Sequence, residues 1–256
     1  MKRKVIALLQ ARTDSTRLPK KVLKPLLGKP MILHELERVQ KSKLISELIL
    51  LTSNQSSDDI LAQVVKNAGF TVFRGSKDNV LERFYKCANA LSLDNNDIIV
   101  RLTGDCPVHD ATVIDELIAT FMATEMDYMA NCIVPLYPDG LDVEVFTFST
   151  LEQSHLEASK LSEQEHVTPY IRDSGLFNIS DLEKKIIHNN WRLTVDELRD
   201  FIVIEKIYNH FKSNSFTFEE MILFLEENLD ILEINSNINR NEGYTKSVLE
   251  DDNARG

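Results

Sequence analysis

The chain has 256 residues, 43% of them hydrophobic, with 40 Asp and Glu against 29 Lys and Arg and a formal net charge of -11. That length suits one large domain, or one domain with a small appendage, around a sizeable core, and an acidic surface repels polyanions, which counts against a nucleic-acid partner. No apolar run approaches the roughly 18 residues of a membrane span, and the basic start Met1 to Lys4 leads into an apolar stretch too short for a secretory leader, so a cytoplasmic protein with no membrane partner is expected.

In chain order, short apolar runs at Val5–Leu9, Leu48–Thr52, Thr71–Arg74 and Ile98–Leu102 read as strands. Helical periodicity falls between and after them at Met31–Lys41, Ile60–Ala68 (with Asp58 or Asp59 as N-cap), Val80–Leu91 and Thr112–Met122. Alternating strands and helices build a mainly parallel sheet in an α/β domain. Beyond residue 126 the pattern loosens. A strand or hairpin is expected around Leu141–Phe148, helices at Leu151–Ala158 and Glu165–Asp173, a strand at Trp191–Val195, and helices at Glu197–Phe211 and Thr217–Asn228. The domain is taken as residues 1–232, and the polar text of residues 233–256 as a surface extension or linker.

Charge is unevenly distributed. Residues 1–30 hold nine Lys or Arg against a single acid, Asp14. A local positive site inside an acidic protein points to a small, highly charged anion. The loop after the first strand has no glycine, which excludes a dinucleotide fingerprint or a Walker A loop. Phosphate would therefore be held by side chains, for which the fork of an arginine is suited, with Pro19 stiffening the loop. In open α/β sheets ligands bind at the carboxyl ends of strands, which would bring residues 10–21, 103–107 and 195–199 to one rim.

Two segments repeat one pattern, Arg101-Leu102-Thr103-Gly104-Asp105 and Arg192-Leu193-Thr194-Val195-Asp196. If both end neighbouring strands, their carboxylates meet where Mg2+ and a nucleoside triphosphate could be held. Alternatively each Asp caps the helix that follows it. Cys87, Cys106 and Cys132 are odd in number and lack CxxC spacing, so reduced thiols are expected, with Cys106 packed rather than nucleophilic.

The loop text QARTDSTRLPKKVL (residues 10–23) resembles the opening motif of cytidylyltransferases of the SpsF type, related to CMP-Kdo and CMP-sialic acid synthetases. RGSKDNVLERFYK (74–86), RLTGDCPVHD (101–110), PDGLDVEVF (138–146), EQEHVTPYIR (163–172), WRLTVDELRD (191–200) and NRNEGYTKS (239–247) carry the resemblance over most of the chain. It implies a three-layer α/β/α, GT-A-like (Rossmann-like) nucleotidyltransferase fold with a mainly parallel mixed sheet. The implied activity is transfer of CMP from CTP to an acidic sugar of the nonulosonic or 3-deoxy-ulosonic type, with release of pyrophosphate, in surface polysaccharide or glycan synthesis.

By the same resemblance Arg12, Ser15, Arg17 and Lys21 hold the triphosphate, with Lys21 at the α-phosphate and Arg12, Arg17 and Lys21 as the catalytic cations. Gln10, Ala11, Thr52, Arg74, Thr103 and Asp105 complete the nucleotide set, and Asp105 and Asp196 hold Mg2+ as cofactor. Asp139, Asp142, Glu144, Glu165, His166 and Arg172 fall on the acceptor side, and a homodimer is expected. Lys20 stands where the family has glycine, a departure that bears on the local backbone. Two other classes stay open on the residues alone: a GT-A glycosyltransferase in which Asp142-Val143-Glu144 imitates a DxD motif, and a non-catalytic nucleotide-binding subunit that docks through its polar tail.

Overall fold

The structure, a computed structural model, describes residues 3–254. Met1 and Lys2 of the basic start, and Arg255 and Gly256 at the end of the polar tail, lie outside the described residues. Nine strands are found among the described residues: β1 (Val5–Gln10), β2 (Pro25–Leu26), β3 (Lys29–Pro30), β4 (Glu47–Ser53), β5 (Thr71–Gly75), β6 (Ile98–Thr103), β7 (Tyr128–Ala130), β8 (Glu144–Thr147) and β9 (Ile179–Asp181). The α-helices are α1 (Met31–Val39), α2 (Asp59–Asn67), α3 (Val80–Ala90), α4 (Ala111–Met122), α5 (Phe148–Glu157), α6 (Leu161–His166), α7 (Pro169–Asp173), α8 (Leu198–Phe211), α9 (Phe218–Glu227), α10 (Asp230–Glu233) and α11 (Glu242–Ala254). No helix among them is long and apolar enough to cross a membrane.

Seven strands form one sheet in the order β5-β4-β1-β6-β8-β7-β9, while β2 and β3 make a separate hairpin. β5, β4, β1 and β6 run parallel, and β8 is antiparallel to both β6 and β7. β1 is central because it can be buried on both faces: Val5, Ala7 and Leu9 pack with one helical layer, Ile6 and Leu8 with the other, following the two-residue side-chain period of a strand. The first layer draws on α1, α4, α8 and α9; the second on α3 and α5. The chain is thus a three-layer, Rossmann-like α/β fold with a mostly parallel sheet.

The first half follows the expected elements to within a residue or two at their ends; in the second half β7, β9, α10 and α11 are unexpected, α5 begins at Phe148 and not Leu151, and three expected elements are reshaped. The strand expected over Leu141–Phe148 is only Glu144–Thr147, because Thr147 already accepts a hydrogen bond from the Thr150 amide and caps α5. The helix expected over Glu165–Asp173 is broken into α6 and α7: Val167 takes φ 72°, and Pro169 removes an amide donor. The strand expected at Trp191–Val195 is an extended segment outside the sheet, bridging only Asp139 to Arg192. It is held by its own ties, the Leu193 amide donating to Asp139 O at 2.6 Å and the Val195 amide to Asp105 O at 2.8 Å. Gly140, at φ +113°, permits that approach, since a Cβ there would lie 2.6 Å from the Leu193 carbonyl carbon and the Thr194 nitrogen.

Candidate active site

The carboxyl ends of β1 and β6 open into a cleft of about 850 Å³. Gln10 ends β1, and its carbonyl accepts from the Gly104 amide at 2.7 Å. A Cβ on Gly104 would come within 2.7 Å of the Ala11 Cβ, so glycine is what lets the two loops meet. The first loop is anchored from behind by buried Asp58, which accepts from the Thr13 amide at 2.8 Å, from Thr13 Oγ1 at 2.7 Å and from the Ser53 hydroxyl. Asp58, one of the two residues expected as N-cap of α2, does stand at that position, but its carboxylate serves the loop and makes no cap hydrogen bond. Lys20 then takes a left-handed conformation, φ 56°, which turns the chain into the short 3-10 helix Lys21–Leu23.

That turn points Lys21 inward. Its ammonium donates to Asp105 Oδ2 at 2.9 Å, Asp196 Oδ1 at 2.9 Å and the Val195 carbonyl at 2.8 Å, so all three N–H bonds are used. Burial works against both charges. The adjoining Lys21 ammonium, with hydrogen bonds from Thr103 and Cys106, nonetheless holds the Asp105 carboxyl down at about 2, and the two carboxylates raise Lys21 above its ordinary value. Arg17 reaches the same Asp196 oxygen at 2.9 Å and extends its other nitrogen to Glu242 at 3.3 Å.

Asp196 does not cap the following helix. Glu197 is the N-cap, and Asp200 in the first turn closes a capping box on it, accepting from the Asp196 and Glu197 amides at 2.9 Å each. The second Asp196 oxygen accepts from Arg192 at 2.9 Å, and Arg192 also binds Asp139 at 2.8 Å and Asp200 at 3.0 Å. The loops carrying Lys21, Asp105 and Asp196 are far apart in sequence and converge on one nitrogen atom.

Gln10, Ala11, Arg12, Ser15, Arg17, Lys21, Thr103 and Asp105 all line the cleft. Arg12 donates to Lys77 O at 3.1 Å and lies 3.5 Å from Asp14 and 3.9 Å from Glu165. Ser15 Oγ accepts from the Leu18 amide at 3.4 Å, bracing the turn. Thr52 and Arg74, expected in the nucleotide set, do not reach the cleft. Thr52 is fully buried within β4, and Arg74 wraps the connection after β4, donating to Ser53 O at 2.9 Å and Gln55 O at 2.8 Å while pairing with Asp59 at 2.7 Å.

Sequence reasoning passed over Arg83, which lines the cleft from α3 while only 1% exposed. It donates to Ser76 O at 2.9 Å, its Nε has no partner among the described residues, and burial followed by the nearby Arg12 charge pulls it down to about 10. Its signal lay in RGSKDNVLERFYK, where it reads as one more charged helix residue. Cys106 is 3% exposed, and burial beside Asp105 pushes its thiol well above the ordinary value, so it stays protonated. His109 does not activate it: its ring lies 3.1 Å from Glu35 Oε1 and 3.2 Å from the Asp142 carbonyl.

The expected acceptor-side residues Asp139, Asp142, Glu144, Glu165, His166 and Arg172 also line the cleft. Glu144 is taken up by Arg101 and accepts from Tyr128 and Thr168 hydroxyls at 2.6 Å each, which leaves it unsuited to imitate a DxD metal ligand. Asp142 pairs with Arg240, yet burial and the charges of Asp139 and Glu144 push its carboxyl up to about 7. With α6 and α7 broken, Glu165, His166 and Arg172 do not share one helical face; they are gathered by α11. Arg172 lies 5.4 Å from the Tyr244 ring centre and His166 edge-on to the same ring at 5.2 Å. The text from residue 233 onward, expected as a polar extension or linker, thus includes a helix whose Glu242, Tyr244, Lys246, Ser247 and Glu250 line the cleft.

Among the described residues no group of three or more His, Cys, Asp or Glu is placed to hold a metal ion. The donor set at Lys21 is two carboxylates, Asp105 and Asp196. Oxygen-only donors of that number fit Mg2+, which commonly takes one or two carboxylates and completes its shell with substrate phosphates and water.

Residues 6–238 match the family model described as cytidylyltransferase. The spore coat polysaccharide biosynthesis protein SpsF of Bacillus subtilis is 35% identical over 212 residues, 80% of this chain and 86% of its own. A 3-deoxy-manno-octulosonate cytidylyltransferase of Geobacter sulfurreducens is 36% identical over 117 residues, 45% of this chain and 44% of its own. The solved structure of a cytidylyltransferase from Leptospira borgpetersenii superposes with a TM-score of 0.85 at 30% identity, covering 93% of this chain and 99% of that one. By sequence over nearly its whole length and by fold, the chain belongs to the cytidylyltransferase family.

Proposed function

We propose that the protein transfers CMP from CTP to a hydroxyl of an acidic sugar, of the nonulosonic or 3-deoxy-ulosonic class, releasing pyrophosphate and supplying surface polysaccharide or glycan synthesis. The observation that carries this reading is the meeting of Lys21, Asp105 and Asp196 at one point, with Arg17 on the same Asp196 oxygen. The acceptor hydroxyl gives up its proton to solvent as its oxygen bonds to the α-phosphorus, the bond from that phosphorus to the β-bridging oxygen breaks, and pyrophosphate leaves with that electron pair. Such a reaction depends on positioning and charge neutralisation more than on covalent help.

Arg12 and Arg17 neutralise the phosphate tail. Lys21 exchanges a carboxylate partner for an α-phosphate oxygen and stabilises charge as it grows there. Mg2+, held by Asp105 and Asp196, would screen the phosphates and polarise the α-phosphoryl group. The acidic-sugar class is supported by the cytidylyltransferase relative that bears a 3-deoxy-manno-octulosonate name. A cytoplasmic homodimer belongs to the same reading.

Pyrophosphate release with each nucleoside triphosphate, with and without Mg2+, across a panel of acidic sugars tests the proposal. Release confined to CTP, Mg2+ and one or more of these sugars is the expected result. Binding of CTP with no release would mark a non-catalytic nucleotide-binding subunit, and consumption of a nucleotide sugar without pyrophosphate a glycosyltransferase; either outcome overturns it.

A further inference from the structure

Glu165, Ser247 and His166 form a hydrogen-bonded chain whose direction is set by its acid end. A carboxylate accepts only, so the Ser247 hydroxyl donates to Glu165 Oε2 at 2.9 Å. That hydroxyl has one proton. The Gly243 carbonyl, 3.2 Å away on the same helix, competes for it, but the charged acceptor is the stronger and nearer partner. The 3.0 Å contact between Ser247 Oγ and His166 Nε2 must then be the ring N–H donating to the serine lone pair.

His166 therefore carries its proton on Nε2 and a lone pair on Nδ1, and burial keeps the ring neutral, its value pulled down to about 4. Nδ1 makes no hydrogen bond among the described residues. The ring is further fixed edge-on to Tyr244, and Ser247 is 8% exposed. His166, Tyr244, Ser247 and Glu165 all line the cleft.

We propose that Ser247 of α11, backed by Glu165, is a positioning residue that sets the tautomer of His166, so that Nδ1 accepts a hydrogen bond from a hydroxyl group of the acceptor substrate. α11 thereby becomes an acceptor-selecting wall, favouring substrates with a hydroxyl at that position over analogues lacking it. The inference rests on the reading of this half of the cleft as the acceptor side.

Two measurements on the full chain test it. Imidazole nitrogen NMR shifts of 15N-labelled protein, without substrate, should show the Nε2–H tautomer at His166 in the native chain and in Ser247→Thr, and a mixed or reversed tautomer in Ser247→Ala. In steady-state kinetics Ser247→Ala should raise KM for the acceptor about 10- to 100-fold, the range expected when one hydrogen-bonding group is left without its partner, while KM for CTP stays within twofold and Ser247→Thr recovers most of the loss. A purely structural role would move both KM values together and leave the tautomer alone. A native Nδ1–H tautomer, or Ser247→Ala with unchanged acceptor KM, overturns the inference while leaving cytidylyl transfer standing. If no acceptor supports pyrophosphate release, the functional reading falls and this assignment falls with it.

Discussion

Replacing Lys21 with alanine removes the cation that touches both Asp105 and Asp196. Asp105 then loses the main reason its carboxyl sits at about 2 and not at the ordinary 3.8. That difference corresponds to about 2 kcal/mol, at about 1.4 kcal/mol per pH unit. Because the folded value is depressed, this stability is present above pH 3.8 and is lost as pH falls through about 2. The variant lacks it at neutral pH and shows a flatter acid limb. Against a total of roughly 5–15 kcal/mol the chain still folds.

The rate suffers more. Loss of one preorganised donor at the point where transition-state charge develops costs about 100- to 1000-fold in kcat. Pyrophosphate release measures the rate, and urea unfolding at pH 7 and pH 3 measures the stability. Turnover within tenfold of the native chain, or Asp105 still titrating near 2 in the variant, would refute the assignment of Lys21.

Lys20→Gly should stabilise the protein, since the left-handed backbone at Lys20 costs an L-residue roughly 1 kcal/mol that glycine avoids; a rise in Tm of about 2 °C is expected, and a fall would contradict it. Burial pushes the Glu35 carboxyl up to about 7 against the opposing hydrogen bond with His109. A raised folded value gives stability that is full below pH 4.5 and is lost as pH climbs through about 7, so Glu35→Gln should flatten the change in urea midpoint across that window. Arg74→Ala, which cuts ties to Ser53, Gln55 and Asp59 outside the cleft, should lower stability by about 1 kcal/mol and leave KM for CTP unchanged; a tenfold rise in that KM would place Arg74 in the nucleotide site after all.

The strands and helices of the first half were legible because each is a continuous apolar run or a clean helical period, and local pattern and burial agree there. The first loop was legible as a cationic loop facing the cleft for a different reason: cations crowd between a strand and a helix with one acid beside them. The second half resisted reading where side-chain commitments override local preference. Trp191–Val195 has the composition of a strand, yet it is held outside the sheet through Asp139 and Asp105. Thr52 and Arg74 sit at strand ends as the pattern expects, but β4 and β5 lie to the side of the cleft, and Arg74 turns back onto its own connection. The tail was opaque because its few apolar residues give no periodic signal, and what orders it is polar and aromatic contact with residues some eighty positions away.

Residue type, period and spacing along the chain were enough for the α/β class, the cationic loop and the pair of matching aspartates, and the motif texts for the resemblance to the family. Packing of the layers was needed to show that Asp105 and Asp196 share one lysine, that Glu197 with Asp200 closes the capping box of α8 while Asp196 serves the cleft, that Arg83 faces the cleft, and that α11 lines it. Each of these is a distance between groups far apart in the chain, and such distances are set by how the layers pack rather than by any local run of residues.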